Sequence, residues 1–406
     1  MKHLGDITKI NGAEIEVVDV ITGGSPCQDL SIAGKRAGLA GARSGLFMEQ
    51  VRIVKEMREH DRKSGRTGDM VRPRFMVWEN VPGAFSSNKG QDFASVLEEI
   101  IRIAEPEAPD IEVPEKGWNI WGGYHDEVGG RWSVAWRVHD AQHWGVPQRR
   151  RRISVVADFG GDTAGEILFE RKSVSEYPAE SGAVREGLAG NAQDSASYAV
   201  RIRGGCDGGG KDALVQEDKS GTLGTGNDQT IFAPTAYSFD SLASNSMKSK
   251  NPHSGCREVD VAKTLDTTVP TPSKNQGGIA VVAPDTGRTG MIVRRLTPIE
   301  YERLQGFPDR WTDIGEWRDS KGKLRKPSDR PRYKACGNSI ALPFWDFLAK
   351  RISAQYLRSV TMGSLFDGIG GFPLVFERHN GKGTARWASE IEEFPIAVTK
   401  KWFGEG

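Results

Sequence analysis

The chain has 406 residues, enough for two domains or one large domain with an insertion, and 37% of them are hydrophobic. No run approaches the roughly 18 apolar residues of a membrane span, and the opening MKHLGDITKI lacks the apolar core of a secretory signal, so a cytoplasmic protein with no membrane partner is expected. Four cysteines without a CxxC pair argue against a disulfide scaffold and against a zinc site, and no metal is expected.

The net charge is +1, but the charges are segregated. Residues 34–74 carry 11 Lys/Arg against 5 Asp/Glu, residues 281–334 carry 13 against 8, and residues 91–130 reverse this with 10 acids against 2 bases. Such segregation fits a basic face for phosphates, although ordinary solvated helices give the same statistics.

In chain order, residues 1–158 alternate strand-like and helical patterns, as α/β folds do. Val17 to Ile21 predicts a strand ending in Gly23-Gly24, and Phe47, Val51, Val54 and Met57 recur at helical spacing. Phe75 to Trp78 predicts a second strand, and Phe93, Val96, Leu97, Ile100 and Ile101 a second helix. Trp132 to Val138 and Ile153 to Val156 predict further strands. Residues 159–292 turn rich in Gly, Ser, Asp, Asn and Thr, with short β-type fragments around Tyr198, Phe232, Tyr237 and Phe239, and predict a small β- and loop-rich domain. From 293 the α/β pattern returns. Thr297, Pro298 and Glu300 form a helix start, Asn338 to Arg351 predicts a helix with Ile340, Phe344 and Phe347 on its apolar face, and Met362 to Phe366 predicts a strand. A Gly-rich turn, a helix through Val375, a strand at Arg386 to Ala388 and a last helix follow.

Several stretches have residue types that carry chemistry. Phe366-Asp367-Gly368-Ile369-Gly370-Gly371 follows a strand, with Glu390 after the next one; glycines admit a cofactor close to the backbone, and an acid there accepts from ribose hydroxyls. The spacing is GxGG and not GxGxxG, which weakens a dinucleotide reading and leaves a plain structural turn open. Ser25-Pro26-Cys27-Gln28 follows another strand, placing a thiol at the mouth of the sheet, although free cysteines are commonly just small buried hydrophobes. Glu79 in Trp78-Glu79-Asn80-Val81 ends a strand on that same edge, as a proton donor or as a turn cap. In Gln148-Arg149-Arg150-Arg151-Arg152, alternation puts Arg150 and Arg152 on one face and Arg149 and Arg151 on the other.

Together SPCQ, WENV, QRRRR, RLTPIEYERLQGFP (295–308), Gly337-Asn338-Ser339 and FDGIGG resemble the motif set of the DNA (cytosine-5)-methyltransferases, over essentially all of 1–158 and 293–406. The resemblance implies a Rossmann-like, S-adenosylmethionine-dependent methyltransferase sheet with a smaller target-recognition domain at 159–292. The motif order departs from the family's: FDGIGG follows GNS, and the chain opens at Gly5-Asp6-Ile7-Thr8. The arrangement therefore resembles a circular permutant cut between the second helix and third strand, which predicts chain ends about a loop's length apart.

The resemblance makes Cys27 the nucleophile toward C6 of a flipped cytosine and Glu79 the group holding or protonating N3. Arg150 and Arg152 would orient the base or Glu79, with Gln148 bracing them. It assigns S-adenosylmethionine, released as S-adenosylhomocysteine, to Phe366, Gly368, Ile369, Gly370, Gly371, Glu390, Ile391, Asp6, Ile7, Pro26, Asn338 and Ser339. Ile391 stands where the family often has an aromatic stacked on adenine. The loop 29–46 would close over the base with Lys35, Arg36 and Arg43 on phosphates. Arg201, Arg203 and Lys211 are candidates to read base edges, and Cys206, Cys256 and Cys336 are read as structural or incidental thiols. The implied partner is double-stranded DNA, bound by a monomer, bacterial or phage-encoded, in the cytoplasm at the nucleoid, with a cognate restriction endonuclease as one setting. An RNA or tRNA (cytosine-5)-methyltransferase and a catalytically impaired DNA-binding regulator are the competing readings.

Overall fold

The computed structural model describes residues 1–26, 45–169, 198–201, 214–217, 229–232, 235–238, 257–258, 279–284 and 291–404. The first part of the chain supplies strands β1 (Lys2–His3), β2 (Val20–Gly23), β3 (Phe75–Asn80), β4 (Trp121–His125), β5 (Ser133–Asp140) and β6 (Arg151–Asp158). Seven strands follow: β7 (Tyr198–Arg201), β8 (Leu214–Glu217), β9 (Gln229–Phe232), β10 (Thr235–Ser238), β11 (Arg257–Glu258), β12 (Ile279–Pro284) and β13 (Met291–Arg295). The last part adds a hairpin of β14 (Trp317–Arg318) and β15 (Leu324–Arg325), then β16 (Met362–Leu365) and β17 (Ala385–Ser389).

One eight-stranded sheet runs in the order β1-β17-β16-β2-β3-β6-β5-β4. Its strands from β1 to β3 are mutually parallel, while β6, β5 and β4 pair antiparallel in turn. The strands are apolar on both faces because both are covered. Val20, Phe75, Val77, Val156 and Met362 pack against Phe344, Leu348, Ile352 and Val375. The alternate residues Ile21, Met76, Trp78, Val155, Leu365 and Trp387 pack against Val51, Val54, Met57, Phe93 and Leu97. The Gly-, Ser- and Asn-rich middle contributes two further sheets, β8-β7-β9 and β11-β10-β12-β13, among the described residues.

The helices follow their local signals. Helix Leu46–Lys63 buries Phe47, Val51, Val54 and Met57, with Glu49 in its first turn and His60, Arg62 and Lys63 in its last, matching the macrodipole. Helix Pro298–Gln305 starts with a complete capping box between Thr297 and Glu300 and ends at Gly306 in the left-handed region.

Three expected elements shift. The strand predicted at Val17 to Ile21 runs from Val20 to Gly23, because the buried Asp19 turns its carboxylate to Arg358 and Thr361. The strand predicted to reach Phe366 stops at Leu365, where Phe366 enters the left-handed region at φ 55°. The helix predicted from Asn338 to Arg351 starts only at Leu342 and runs to Ser353, and a separate helix, Asp329–Asn338, precedes it across an extended link. Pro343 explains the break, since it has no N–H for the Ser339 carbonyl and its ring would crowd a preceding helical turn.

The N-terminal and C-terminal segments meet in this sheet. β1 pairs in parallel with β17, Leu4 N–H donates to the Ala388 carbonyl at 2.8 Å, and the Met1 amine donates to the Phe403 carbonyl at 3.0 Å. No helix among the described residues is long and apolar enough to cross a membrane.

Candidate active site

The site gathers at the carboxyl ends of the parallel strands. After β2 the chain passes through Gly24, Ser25 and Pro26; Cys27, Lys35, Arg36 and Arg43 lie outside the described residues. Ser25 is fastened to β3: Trp78 Nε1 donates to its Oγ at 3.0 Å, and Asn80 Nδ2 reaches its carbonyl at 3.2 Å and its Oγ at 3.3 Å. The approach to Cys27 is therefore set by the WENV strand, two residues before the thiol.

Glu79 shares a strand face with Phe75 and Val77. Ser154 stands opposite it on β6, so Arg152, two residues away, shares its face, and Arg152 Nε lies 3.0 Å from Glu79 Oε1. The side chains are only 15% and 12% exposed, which makes this a screened-in pair and not a surface contact. Glu79 Oε2 lies where a Cβ on Gly24 would come within 2.9 Å, so only glycine leaves the carboxylate this berth. His139 on β5 stands opposite Arg152 and was not singled out from the sequence. It stacks on Phe344 at 3.6 Å and its Nδ1 lies 3.1 Å from Ser154 Oγ. Burial, helped by Arg152, Arg137 and Arg150, holds its pKa well below the usual imidazole range, so a neutral ring backs the ion pair.

The expected arginine pair divides its labour. Arg150 is 3% exposed and turns to the GNS segment, donating Nη1 to the Gly337 carbonyl at 3.4 Å and Nη2 to the Ser339 carbonyl at 2.5 Å. It thus takes the acceptor that Pro343 leaves without a helical donor. In this structure Arg150 pins the GNS link, and Arg152 alone of the two is ion-paired with Glu79. Gln148 also departs from expectation: it is fully buried and donates Nε2 to the Leu304 carbonyl at 3.1 Å, so it braces the helix of the LTPIEYERLQG stretch and not the arginines.

The second half of the site is the turn after β16. Gly368 and Gly370 have φ of 57° and 80°, and nothing lies within 4 Å of where a Cβ on Gly368 would stand. Gly371 packs so closely on Ile340 and Leu342 that a side chain there would clash, which locks the turn to the GNS segment. Ile369 is buried, and its carbonyl accepts from Trp311 Nε1 at 2.8 Å. Glu390 closes the turn: one oxygen accepts from Gly368 N–H, the other from the N–H groups of Ile391 and Glu392, all at 2.8 Å. Asp6 caps the short helix Ile7–Lys9 through Thr8, and Ser389 Oγ donates to the Gly5 carbonyl at 2.7 Å, so the GDIT stretch abuts the strand that leads to Glu390. Ile7 is buried, Asn338 is exposed, and Phe366 and Pro26 are half-buried. Ile391 is 69% exposed. Cys336 is fully buried with its thiol pKa pushed up by burial, in keeping with a structural thiol.

Asp367 is the residue that motif reading passed over. It is buried, accepts from Ser364 Oγ through Oδ1 at 2.6 Å, and its Oδ2 has no hydrogen-bond partner. Burial, with the Glu390 charge adding to it against the Ser364 bond, pushes its pKa up from 3.8 to about 8. The folded state thus keeps a proton that the unfolded chain releases above its ordinary pKa. Stability falls as pH rises from about 4 toward 8 and levels off beyond, by as much as about 1.4 kcal/mol per pH unit. Asp367→Asn should lose that slope and gain on the wild type across this window. Denaturant unfolding at pH 5 and pH 8 measures it, and parallel changes in both proteins would contradict the assignment.

The open, glycine-lined turn and the carboxylate at its lip are what a bulky polar cofactor with hydroxyl donors would use. The profile of the C-5 cytosine-specific DNA methylase family matches residues 1–103 and 115–354. Among curated relatives, the DNA N-6-adenine-methyltransferase of Escherichia phage P1 is 29% identical over 88% of this chain and 56% of its own length. The Type II methyltransferase M1.ScrFI of Lactococcus lactis subsp. cremoris is 25% identical over 86% of this chain and 65% of its own. The Type II methyltransferase M.HgiCI of Herpetosiphon aurantiacus is 23% identical over 89% and 87%. The chain thus spans less than two thirds of the length of the first two. A family match that runs through the Glu79–Arg152 edge and on past the GNS link settles the affiliation: this chain belongs to the C-5 cytosine-specific DNA methylases.

Proposed function

We propose that the protein transfers a methyl group from S-adenosylmethionine to C5 of a flipped cytosine in a short duplex-DNA site. The observation that carries this reading is the Glu79 carboxylate, clamped by Arg152 against Gly24, three residues before Cys27. C5 of cytosine is not nucleophilic in the intact ring, so the chemistry needs a thiolate and an acid on one edge. The Cys27 thiolate adds to C6, which breaks the C5–C6 π bond and moves its electron pair toward C5. Glu79, protonated as the base binds, donates that proton to N3 and so neutralises the charge pushed into the ring, while Arg152 keeps the carboxyl group in place. Phe366, the turn 368–371, Glu390, Asp6 and Asn338 would hold the cofactor, which would supply an electrophilic methyl: the C5–methyl bond forms as the methyl–sulfonium bond breaks, leaving a neutral thioether. After C5 is methylated, loss of its proton and of the Cys27–C6 bond restores the aromatic ring. Flipping the base out costs a few kcal/mol, and the loop bearing Lys35, Arg36 and Arg43 closes over it with its cations on phosphates.

Residues 159–292 form the target-recognition part of this reading. The order of the motifs, with FDGIGG after GNS, together with the adjoining end segments, supports a circularly permuted methyltransferase sheet. The names of the Type II relatives fit a cognate restriction endonuclease as partner, and on this reading the protein acts as a monomer at the nucleoid.

The phage P1 relative's name gives a second reading, transfer to N6 of adenine. An exocyclic amine is already a nucleophile and needs no covalent thiol, so Cys27 and Glu79 would have no task there. Nucleoside mass spectrometry after incubation with labelled S-adenosylmethionine separates them. We expect 5-methyl-2′-deoxycytidine from unmethylated duplex DNA; N6-methyl-2′-deoxyadenosine, or 5-methylcytidine from RNA alone, would overturn the proposal.

A further inference from the structure

We propose that the hairpin β14–β15 is a second DNA-contacting element, which grips the phosphate backbone flanking the target site. Residues 317–334 hold eight Lys/Arg against two acids. Arg318, Lys321, Lys323, Lys326 and Arg330 are all exposed, and no carboxylate among the described residues lies within ion-pair reach of any of them. The remaining cations are spent on structure: Arg325 pairs with Asp319, Arg332 with Glu302 and Lys334 with Glu392. Arg318 donates Nη1 to the Gly322 carbonyl at 2.9 Å, but a run of like charges this dense without ion pairs is self-repelling and suited to a polyanion.

The loop is built to present those charges. Asp319 turns inward, its Oδ1 accepting from the Lys321 and Lys323 N–H groups at 3.1 and 2.9 Å and its Oδ2 from Arg325 Nε at 2.9 Å. Gly322 takes φ 76° at the tip, and its N–H returns to the Asp319 carbonyl. The acid that could neutralise the lysines is thereby consumed in shaping the turn, and their side chains are left outward.

The hairpin is also anchored beside the site. Ser320 donates its N–H to Glu393 Oε2 at 2.7 Å and its Oγ to Oε1 at 2.5 Å, and Trp317 packs edge-on to Phe394 at 5.8 Å. Glu393 lies three residues after Glu390, at the carboxyl edge where Glu79 and the turn 368–371 also lie. A duplex that delivers a base to that edge must carry its flanking backbone across it, where a fixed array of cations meets phosphates spaced along the strand.

This inference rests on the duplex-DNA reading, and one experiment separates their failures. Duplex affinity is measured against salt for the wild type and for K321A/K323A/K326A/R330A, with the corresponding four Gln substitutions as a second variant and cofactor binding and Tm as folding controls. Each cation that meets a phosphate contributes about 0.9 to the log–log salt slope, so the variants should show a slope shallower by about 2 to 4, with cofactor binding unchanged. Wild-type and variant slopes that coincide would overturn the hairpin's role while leaving the DNA reading intact. A wild type without salt-dependent duplex binding would overturn both.

Discussion

Glu79→Gln should lower the rate of methyl transfer by about 10²- to 10⁴-fold, the range for removing a positioned acid, while the fold, cofactor affinity and duplex affinity stay near wild type. The reason lies in the ion pair that Glu79 makes with Arg152. Gln fills the same volume beside Gly24, and its amide oxygen still accepts from Arg152 Nε, so the half-buried guanidinium keeps a partner. What is lost is the carboxyl's capacity to hold or deliver a proton at N3, which matters only as charge develops in the ring. The expected signature is therefore a fall in kcat with KM for DNA little changed. Single-turnover kinetics with Tm and cofactor titration as companions checks it. A variant with near-normal kcat would remove Glu79 from the chemistry, and one that loses Tm and cofactor affinity together would make it a structural residue.

Much of this edge was legible in the sequence because its signals are local. Alternation along QRRRRI put Arg150 and Arg152 on one face, which the family resemblance turned toward the site, and the structure buries Arg150 and half-buries Arg152 while Arg149 and Arg151 stay exposed. Thr297-Pro298-Glu300 carries its own capping logic, and the capping box is present. What the sequence left unread depends on distant partners. Alternation could not tell that Arg150 would turn to the carbonyls of Gly337 and Ser339, 187 and 189 residues away, or that Gln148 would reach Leu304. Helical periodicity through Ile340, Phe344 and Phe347 hid the break that Pro343 imposes. Asp367 stood as the variable position of FxGxGG, and its importance appears only once burial surrounds it. His139 falls just past the apolar run that announced its strand, and the two-residue strands of the β14–β15 hairpin are too short for a period to register.

Cys27→Ala should abolish turnover outright, a larger effect than any substitution of Glu79. Removing a general acid leaves the addition slowed; removing the nucleophile leaves C5 with no source of electron density, so the methyl has no acceptor. Cys27→Ser should be nearly as inactive, because a hydroxyl is scarcely ionised near neutral pH whereas a thiol is partly thiolate and intrinsically more nucleophilic. Both variants should keep duplex binding, since the proposed reading gives Glu79 and the phosphate-binding cations their own share of it. Binding retained with turnover lost would separate chemistry from recognition. Residual turnover within about tenfold of wild type would exclude an obligatory thiolate.

The most direct measurement of the covalent claim uses a duplex in which the target cytosine carries fluorine at C5. Cys27 adds to C6 and C5 accepts the methyl as before, but C5 then bears no proton to lose, so the Cys27–C6 bond cannot be released by elimination. Incubation with S-adenosylmethionine should give a protein–DNA adduct that survives denaturation, and digestion and mass spectrometry should place the modified base on the peptide containing Cys27, with no adduct from Cys27→Ala. An adduct through Cys206, Cys256 or Cys336, or methylated duplex DNA without any adduct, would contradict the account.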